Sequence, residues 1–472
     1  MMSEGQSSIL TILKNTYSIV LLIISLVLIA GLIFTKQTIL SSKSNPVIAF
    51  ILIWVTVIWL SVVEGSQASL VGLSSVDEEL YKDKCPISYK IMSITNKGDN
   101  LDRYLLGRQL MVLILVFLIN FCGDPIKDAT LWGLPQWFTD IFFYIGFAMI
   151  LFTCMVGQLN TQVNASLYMI DYVNNYVALL TFWVAMGIEC SGILHICYVV
   201  KAIVIAIAAR AFKSNEEARS CCGSIFFWFR VLFSFSLLTF SFVVTFAALI
   251  EGKTEMWEGV PNFAAIFIFF VMLIIVGLLE GMQIAFFAVA KLHESERGVN
   301  SNKFAKLTCD VLYNKRDGLN LPGFMIGRQL CVVSCYFFIA HFTTQKVEEG
   351  DSNVLNLPDA VQAFLNTGLC GALLTTVFGS VSWQLVADAF PFAFLSTPLT
   401  YIMLRICLLL EATGICNGAW VLASIHKNLA GFQDDDIHIG TAEERAAQRR
   451  KDGAGRDNDL FALTGADGLK SV

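Results

Sequence analysis

An all-α integral membrane protein of ten transmembrane helices, arranged as a 5+5 inverted-topology repeat, is the fold class the sequence predicts. Three observations predict it. Of the 472 residues, 56 % are hydrophobic and only 15 % are charged. The apolar residues form long unbroken stretches, and a hydrocarbon core of ~30 Å needs about 20 of them in a helix. Finally, a set of polar motifs recurs in order a little over two hundred residues later.

The stretches fall at 17–34, 47–72, 104–122, 139–157, 177–209, 225–250, 261–290, 324–342, 363–381 and 396–425. Helix is the state that satisfies the backbone inside lipid, because barrel strands would place a polar residue at every second position. The first run lacks a strongly basic leader and a convincing cleavage site, so it reads as a span and not as a removed signal. It follows a short N-terminal cytoplasmic segment, 1–16. The first repeat then occupies 17–209, a connecting loop 210–224 and the second repeat 225–430. The polar tail 431–472, rich in Asp, Gly and Ala, is expected to be disordered or partly helical. Lipid-facing or packing surface is the expectation for the aromatic run 225–246.

The repeat is read from residues. Glu64-Gly65-Ser66-Gln67 returns as Glu280-Gly281-Met282-Gln283, 216 positions on, and Gly107-Arg108-Gln109-Leu110 as Gly327-Arg328-Gln329-Leu330, 220 on. Gly157, Gln162, Ala165, Glu189, Gly192 and Ile193 match Gly379, Gln384, Ala387, Glu411, Gly414 and Ile415 at an offset of 222. Five spans per copy is odd, so successive copies enter the bilayer with opposite orientation, an arrangement typical of secondary transporters. The same inversion cancels most of the positive-inside signal. Lys82, Lys84, Lys90, Lys97 and Arg103 fall on the side opposite Lys291, Arg297, Lys303, Lys306, Lys315 and Arg316. The tail residues Arg445, Arg449, Arg450 and Lys451 tip both ends towards the cytoplasm.

Several function classes drop out. No basic stripe points to nucleic acid, and no nucleophile–base pair, phosphate loop or metal cluster points to an enzyme. Thirteen cysteines lie scattered without CxxC spacing, and five histidines stand far apart at 195, 293, 341, 426 and 438. Small hydrophobes within helices account for the thiols, and neither a metal site nor a cofactor is expected.

What remains is a set of ionisable residues inside apolar runs, where a charge costs a few kcal/mol and marks a functional candidate. These are Glu64, Arg108, Glu189, Glu280, Arg328 and Glu411. Glu64 either lines a pathway or pairs with Arg108 to hold helices together. The runs 47–72 and 261–290 exceed the bilayer thickness, and each carries Glu-Gly where the surplus begins, so Gly65 and Gly281 are expected to open the helix. Glu189 and Glu411, deep in their runs, couple sodium or protons or hydrogen-bond between helices, while Asp171 and Asp388 are either further cation ligands or, the favoured reading, solvated loop residues. Gln67, Gln109, Gln283 and Gln329 each offer an amide donor and acceptor. If each arginine neutralises its glutamate, the fitting guest is small, uncharged and polyhydroxylated, with sugar, boric acid and silicic acid all satisfying that description.

Two copies of EGxQ, each followed some forty residues later by GRQ, resemble the diatom silicon transporters. The motifs are EGSQ and YLLGRQLMVL, then EGMQIAFFAV and FMIGRQLCVV, and the resemblance runs over about 45–430. It implies a sodium-coupled symporter of silicic acid working by alternating access, multi-pass in the plasma membrane or in an internal silica-associated membrane, and supplying silicon for a cell wall. The implied partners are silicic acid, sodium and lipid. The implied substrate-binding residues are Glu64, Gly65, Gln67, Gly107, Arg108, Gln109, Glu280, Gly281, Gln283, Gly327, Arg328 and Gln329. Some members carry a Cys-Met-Leu-Asp tetrapeptide suggested to bind metal. Here the chain reads Tyr168-Met169-Ile170-Asp171, so the thiol is gone and a zinc role is not expected. The residues alone leave a carrier of another neutral polyhydroxylated solute, or a channel or receptor, as competitors.

Overall fold

A computed structural model describes residues 2–123, 125–126, 129–144, 146–207, 220–254, 261–290, 292, 302–314, 319–343, 345, 358, 361–362, 365, 369–441 and 443–444. Every element among them is helical, and the β pairing found there is two isolated bridges, Thr38 with Pro125 and Thr254 with Gln345. These bridges repeat each other at the same offsets as the motifs, 216 and 220.

Among the described residues five helices are long and apolar enough to cross a membrane: Thr11–Phe34, Pro46–Leu73, Cys221–Glu251, Asn262–Ala290 and Cys370–Ala389. A sixth span is available if Gln136–Phe143 and Phe147–Leu167, bent by 44°, count as one. The expected ten continuous spans are therefore not all present as such, and the reasons are local. The run 177–209 is two helices, Tyr176–Cys190 and Ile196–Ile207. The run 396–425 is likewise two, Pro398–Ala412 and Gly418–Ala430. Gly192 (φ 86°) and Gly414 (φ 84°) stop the chain in the left-handed region, which glycine enters without a Cβ clash. A helix of 15 residues is only ~22 Å long, short of the hydrocarbon thickness.

One further expectation needs correction. Gly65 and Gly281 do not open their helices, since Pro46–Leu73 and Asn262–Ala290 continue unbroken through both. The glycines serve as slots instead. A Cβ on Gly65 would lie 2.3 Å from the Tyr172 ring, and one on Gly281 2.5 Å from the Phe394 ring. At the N-terminus one helix runs from Met2 to Phe34, and its part long and apolar enough to span begins at Thr11.

The irregular backbone lies elsewhere and is duplicated. A π-helical turn spans Thr153–Leu159 and another Thr375–Val381, each leading directly into an α-helix, Asn160–Leu167 and Ser382–Ala389. Such turns insert an extra residue and are frequent at functional sites. Both helices end at a residue of irregular conformation, Tyr168 (φ −123°, ψ 55°) and Phe390 (φ −136°, ψ 53°).

The two long motif helices, Pro46–Leu73 and Asn262–Ala290, pack against each other. Asn100–Gly123 and Asn320–Thr343, which carry the GRQ motifs, pack beside them. The aromatic helix Cys221–Glu251 leaves Phe226, Trp228, Phe229 and Phe233 exposed, as lipid-facing surface requires. The tail is ordered in part. Residues 435–439 form a short helix whose Asp435 and Ile439 are buried. Of the basic loop and tail residues used for orientation, Lys291, Arg297, Lys315, Arg316, Arg445, Arg449, Arg450 and Lys451 lie outside the described residues, as does His293.

Candidate functional site

Each GRQ glycine sets how near its helix comes to a neighbour. A Cβ at Gly107 would sit 1.8 Å from the Ala185 carbonyl oxygen, and one at Gly327 1.7 Å from that of Cys407. Backbone thus touches backbone where Asn100–Gly123 meets Tyr176–Cys190 and where Asn320–Thr343 meets Pro398–Ala412. This contact holds Arg108 and Arg328, each only 2 % exposed, against the motif glutamates.

The Arg108 guanidinium donates to Glu64 at 2.5 Å and to Gln109 Oε1 at 2.7 Å. Arg328 repeats this with Glu280 at 3.1 Å and Gln329 Oε1 at 2.8 Å. Each glutamate accepts one more bond from a glutamine just after a π-helical turn. Gln162 Nε2 donates to Glu64 at 3.1 Å and Gln384 Nε2 to Glu280 at 2.9 Å. Gln162 and Gln384 were legible as repeat partners, yet only the fold shows that they reach the carboxylates.

The two clusters join. Gln329 Nε2 donates to Gln158 Oε1 at 2.8 Å, and Gln384 Nε2 makes a longer 3.5 Å contact with Gln109 Oε1. One polar chain therefore runs from Gln162 through Glu64, Arg108, Gln109, Gln384, Glu280, Arg328 and Gln329 to Gln158. It holds two acids and two arginines and so carries no net charge with all four ionised.

The remaining motif glutamines, one helical turn from the motif glutamates, are buried with amide atoms left unpaired. Gln67 and Gln283 are each 1 % exposed. Neither amide atom of Gln67 has a hydrogen-bond partner among the described residues, nor does Gln283 Nε2. The Oε1 atoms of Gln162 and Gln384 and the Nε atoms of both arginines are likewise unpaired. Each buried unpaired group costs about 1–3 kcal/mol, so this concentration in one place calls for water or a polar guest.

The halves are not chemically equal. At matching positions the first offers Ser66, Tyr104 and Tyr172 where the second offers Met282, Phe324 and Phe394. Gln158 is matched by Ser380, whose hydroxyl is 3.3 Å from Gln384 Nε2.

The other expected cation ligands lie outside this network. Glu189 is not in mid-helix but at the C-terminal end of Tyr176–Cys190, 3.2 Å from both His195 Nε2 and the Tyr198 hydroxyl. Glu411 holds the corresponding place at the end of Pro398–Ala412. Their burial follows from the Gly192 and Gly414 breaks and not from depth in a continuous span. Asp388 meets Asp102, a residue that sequence reasoning missed; Asp102 is paired with Lys201. Asp171 lies beside His438 at 3.1 Å and Cys85 at 3.7 Å. The thiol missing from the Tyr168–Asp171 tetrapeptide is thus matched in space by Cys85, and a histidine joins it, because chain segments far apart in sequence converge there. Burial pushes the Cys85 thiol up to about 11.

A family model described as silicon transporter matches residues 6–470. The chain belongs to the silicon transporter family. Membership covers both sets of motifs and implies membrane transport of silicic acid by a multi-pass protein. No curated protein and no solved structure matches the chain.

Proposed function

We propose that the protein is a sodium-coupled silicic acid symporter of the plasma membrane that works by alternating access between two oppositely oriented halves. The observation that carries this reading is the buried polar chain of zero net charge with unpaired amides beside it. Silicic acid is uncharged and bears four hydroxyls, each able to donate and accept. Gln67 and Gln283 supply complementary donors and acceptors, and the balanced ion pairs offer no net attraction to an anion or a cation. Glu64, Arg108, Gln109, Glu280, Arg328 and Gln329 fix that arrangement. Gly65, Gly107, Gly281 and Gly327 set the helix spacing on which it depends. A guest touching both halves favours the closed state, as coupling between binding and rocking requires.

Sodium coupling is assigned to a cluster with no copy in the other half. Asp388 meets Asp102, which pairs with Lys201, so two carboxyl groups stand beside one ammonium. The repeat-related positions hold Pro322, Ser166 and Ala423. Carboxylate oxygens are the donors a hard cation prefers. In liposomes loaded with wild-type protein, an inward sodium gradient is expected to drive silicic acid uptake above the external concentration. Asp388→Asn is expected to retain downhill flux and to lose at least tenfold of the sodium stimulation. Equal uptake with sodium or choline outside would remove the coupling, and uptake that never saturates would indicate a channel.

A further inference from the structure

The convergence at Asp171 draws on three separate parts of the chain. Cys85 precedes the Pro86–Thr95 helix, Asp171 lies in the short Met169–Val173 helix and His438 belongs to the C-terminal segment. One potential ligand atom from each lies within 4.8 Å of the other two. Cys85 Sγ is 3.7 Å from Asp171 Oδ1 and 4.0 Å from His438 Nδ1, while His438 Nε2 is 3.1 Å from Asp171 Oδ1. In a tetrahedral zinc site with Zn–S of ~2.3 Å and Zn–N or Zn–O of ~2.0 Å, neighbouring ligand atoms stand about 3.3–3.6 Å apart. The 3.7 Å Cys85–Asp171 separation is within a few tenths of an ångström of that spacing, and the imidazole, which faces the thiol with Nδ1 and the carboxylate with Nε2, must turn to bring one nitrogen to both.

The surroundings fix these donors. The second oxygen of Asp171 accepts the Gln433 backbone N–H at 2.7 Å, and the Lys84 ammonium donates to the Ile437 carbonyl at 3.0 Å. Asp435, 2 % exposed, accepts the Met169 and Ile170 N–H groups at 3.0 and 2.9 Å. Phe432 packs on the Tyr168, Tyr172 and His426 rings. Such outer contacts orient metal ligands.

We propose that Cys85, Asp171 and His438 bind a divalent transition metal of zinc-like preference, which clasps the C-terminal segment to the first half of the transporter. A sulfur, a nitrogen and an oxygen donor together select a borderline ion over calcium or magnesium. Three protein donors leave the fourth tetrahedral position to water. The ion takes one imidazole nitrogen and leaves the other free to hydrogen-bond. The thiol proton leaves to solvent on binding. Tyr172, next to Asp171, fills the slot at Gly65, so the clasp braces the elbow that packs on the first EGxQ motif.

The test uses purified full-length protein titrated with cobalt(II) as a spectroscopic stand-in for zinc. The wild type is expected to show a thiolate-to-cobalt charge-transfer band that saturates at one equivalent and is displaced by zinc. Cys85→Ser should abolish the band, and His438→Ala should weaken binding at least tenfold. Zinc should also slow proteolytic removal of the C-terminal segment in the wild type but not in His438→Ala. If Cys85→Ser does not fold, His438→Ala decides the question, since His438 lies in a short terminal helix remote from the polar chain. A band unchanged in His438→Ala overturns the proposal. So does a band lost instead in the Cys221→Ser/Cys222→Ser double variant, whose thiols are exposed.

Discussion

Gly107→Ala and Gly327→Ala are each expected to abolish recovery of folded protein. The added methyl carbon would stand 1.8 Å and 1.7 Å from a carbonyl oxygen of the adjacent helix. Neither partner is a flexible side-chain end, so the helices must separate by over an ångström. Overpacking a close contact costs about 1–3 kcal/mol and occasionally more; two backbones in collision place these variants at the top of that range or beyond. A large part of a ~5–15 kcal/mol stability would be lost. Gly187→Ala is the matched control, because its Cβ meets nothing within 4 Å. Thermal unfolding and monodispersity in detergent read the difference, and wild-type behaviour of both GRQ variants would show that the close contacts are not required.

Arg328→Met should be nearly as damaging for a different reason. Glu280 would remain 6 % exposed with its only cationic partner among the described residues removed. Removing one member of a buried pair costs about 3–5 kcal/mol, whereas replacing both members is often close to neutral. The double variant Glu280→Gln/Arg328→Met should therefore recover most of the lost unfolding temperature while failing to transport. Additive losses would mean that the pair does not act as a unit. Arg108 and Glu64 predict the same pattern in the first half.

Some of this is visible in the sequence, and the reason is specific. A charge in an apolar run needs an opposite charge, and the same acid and arginine appear twice, so the Glu64–Arg108 and Glu280–Arg328 pairs can be anticipated. That the two clusters join cannot, because the links run through Gln158 and Gln384, and the partner of Gln158 in the repeat is Ser380. The helix breaks were misplaced for a physical reason too. Glycine signals either an opening or a close approach, and only the neighbour distinguishes them. At Gly65 and Gly281 an aromatic ring fills the slot, whereas at Gly192 and Gly414 the backbone turns left-handed. The run 177–209 held a usable clue, since 33 residues as straight helix measure ~50 Å, too long for one span. The Cys85–Asp171–His438 convergence left no local trace, as the outer members lie more than 350 residues apart.

The central claim is that Gln67 and Gln283 receive the guest. Initial rates of silicic acid uptake into silicon-free liposomes under a fixed sodium gradient test it most directly, comparing wild type with Gln67→Ala and Gln283→Ala at equal amounts of folded protein. Their amides lack full partners in the structure, so truncation should leave thermal stability within about 1 kcal/mol or raise it. Uptake is expected to fall at least tenfold in each variant. Folded variants that both transport at the wild-type rate would contradict the account.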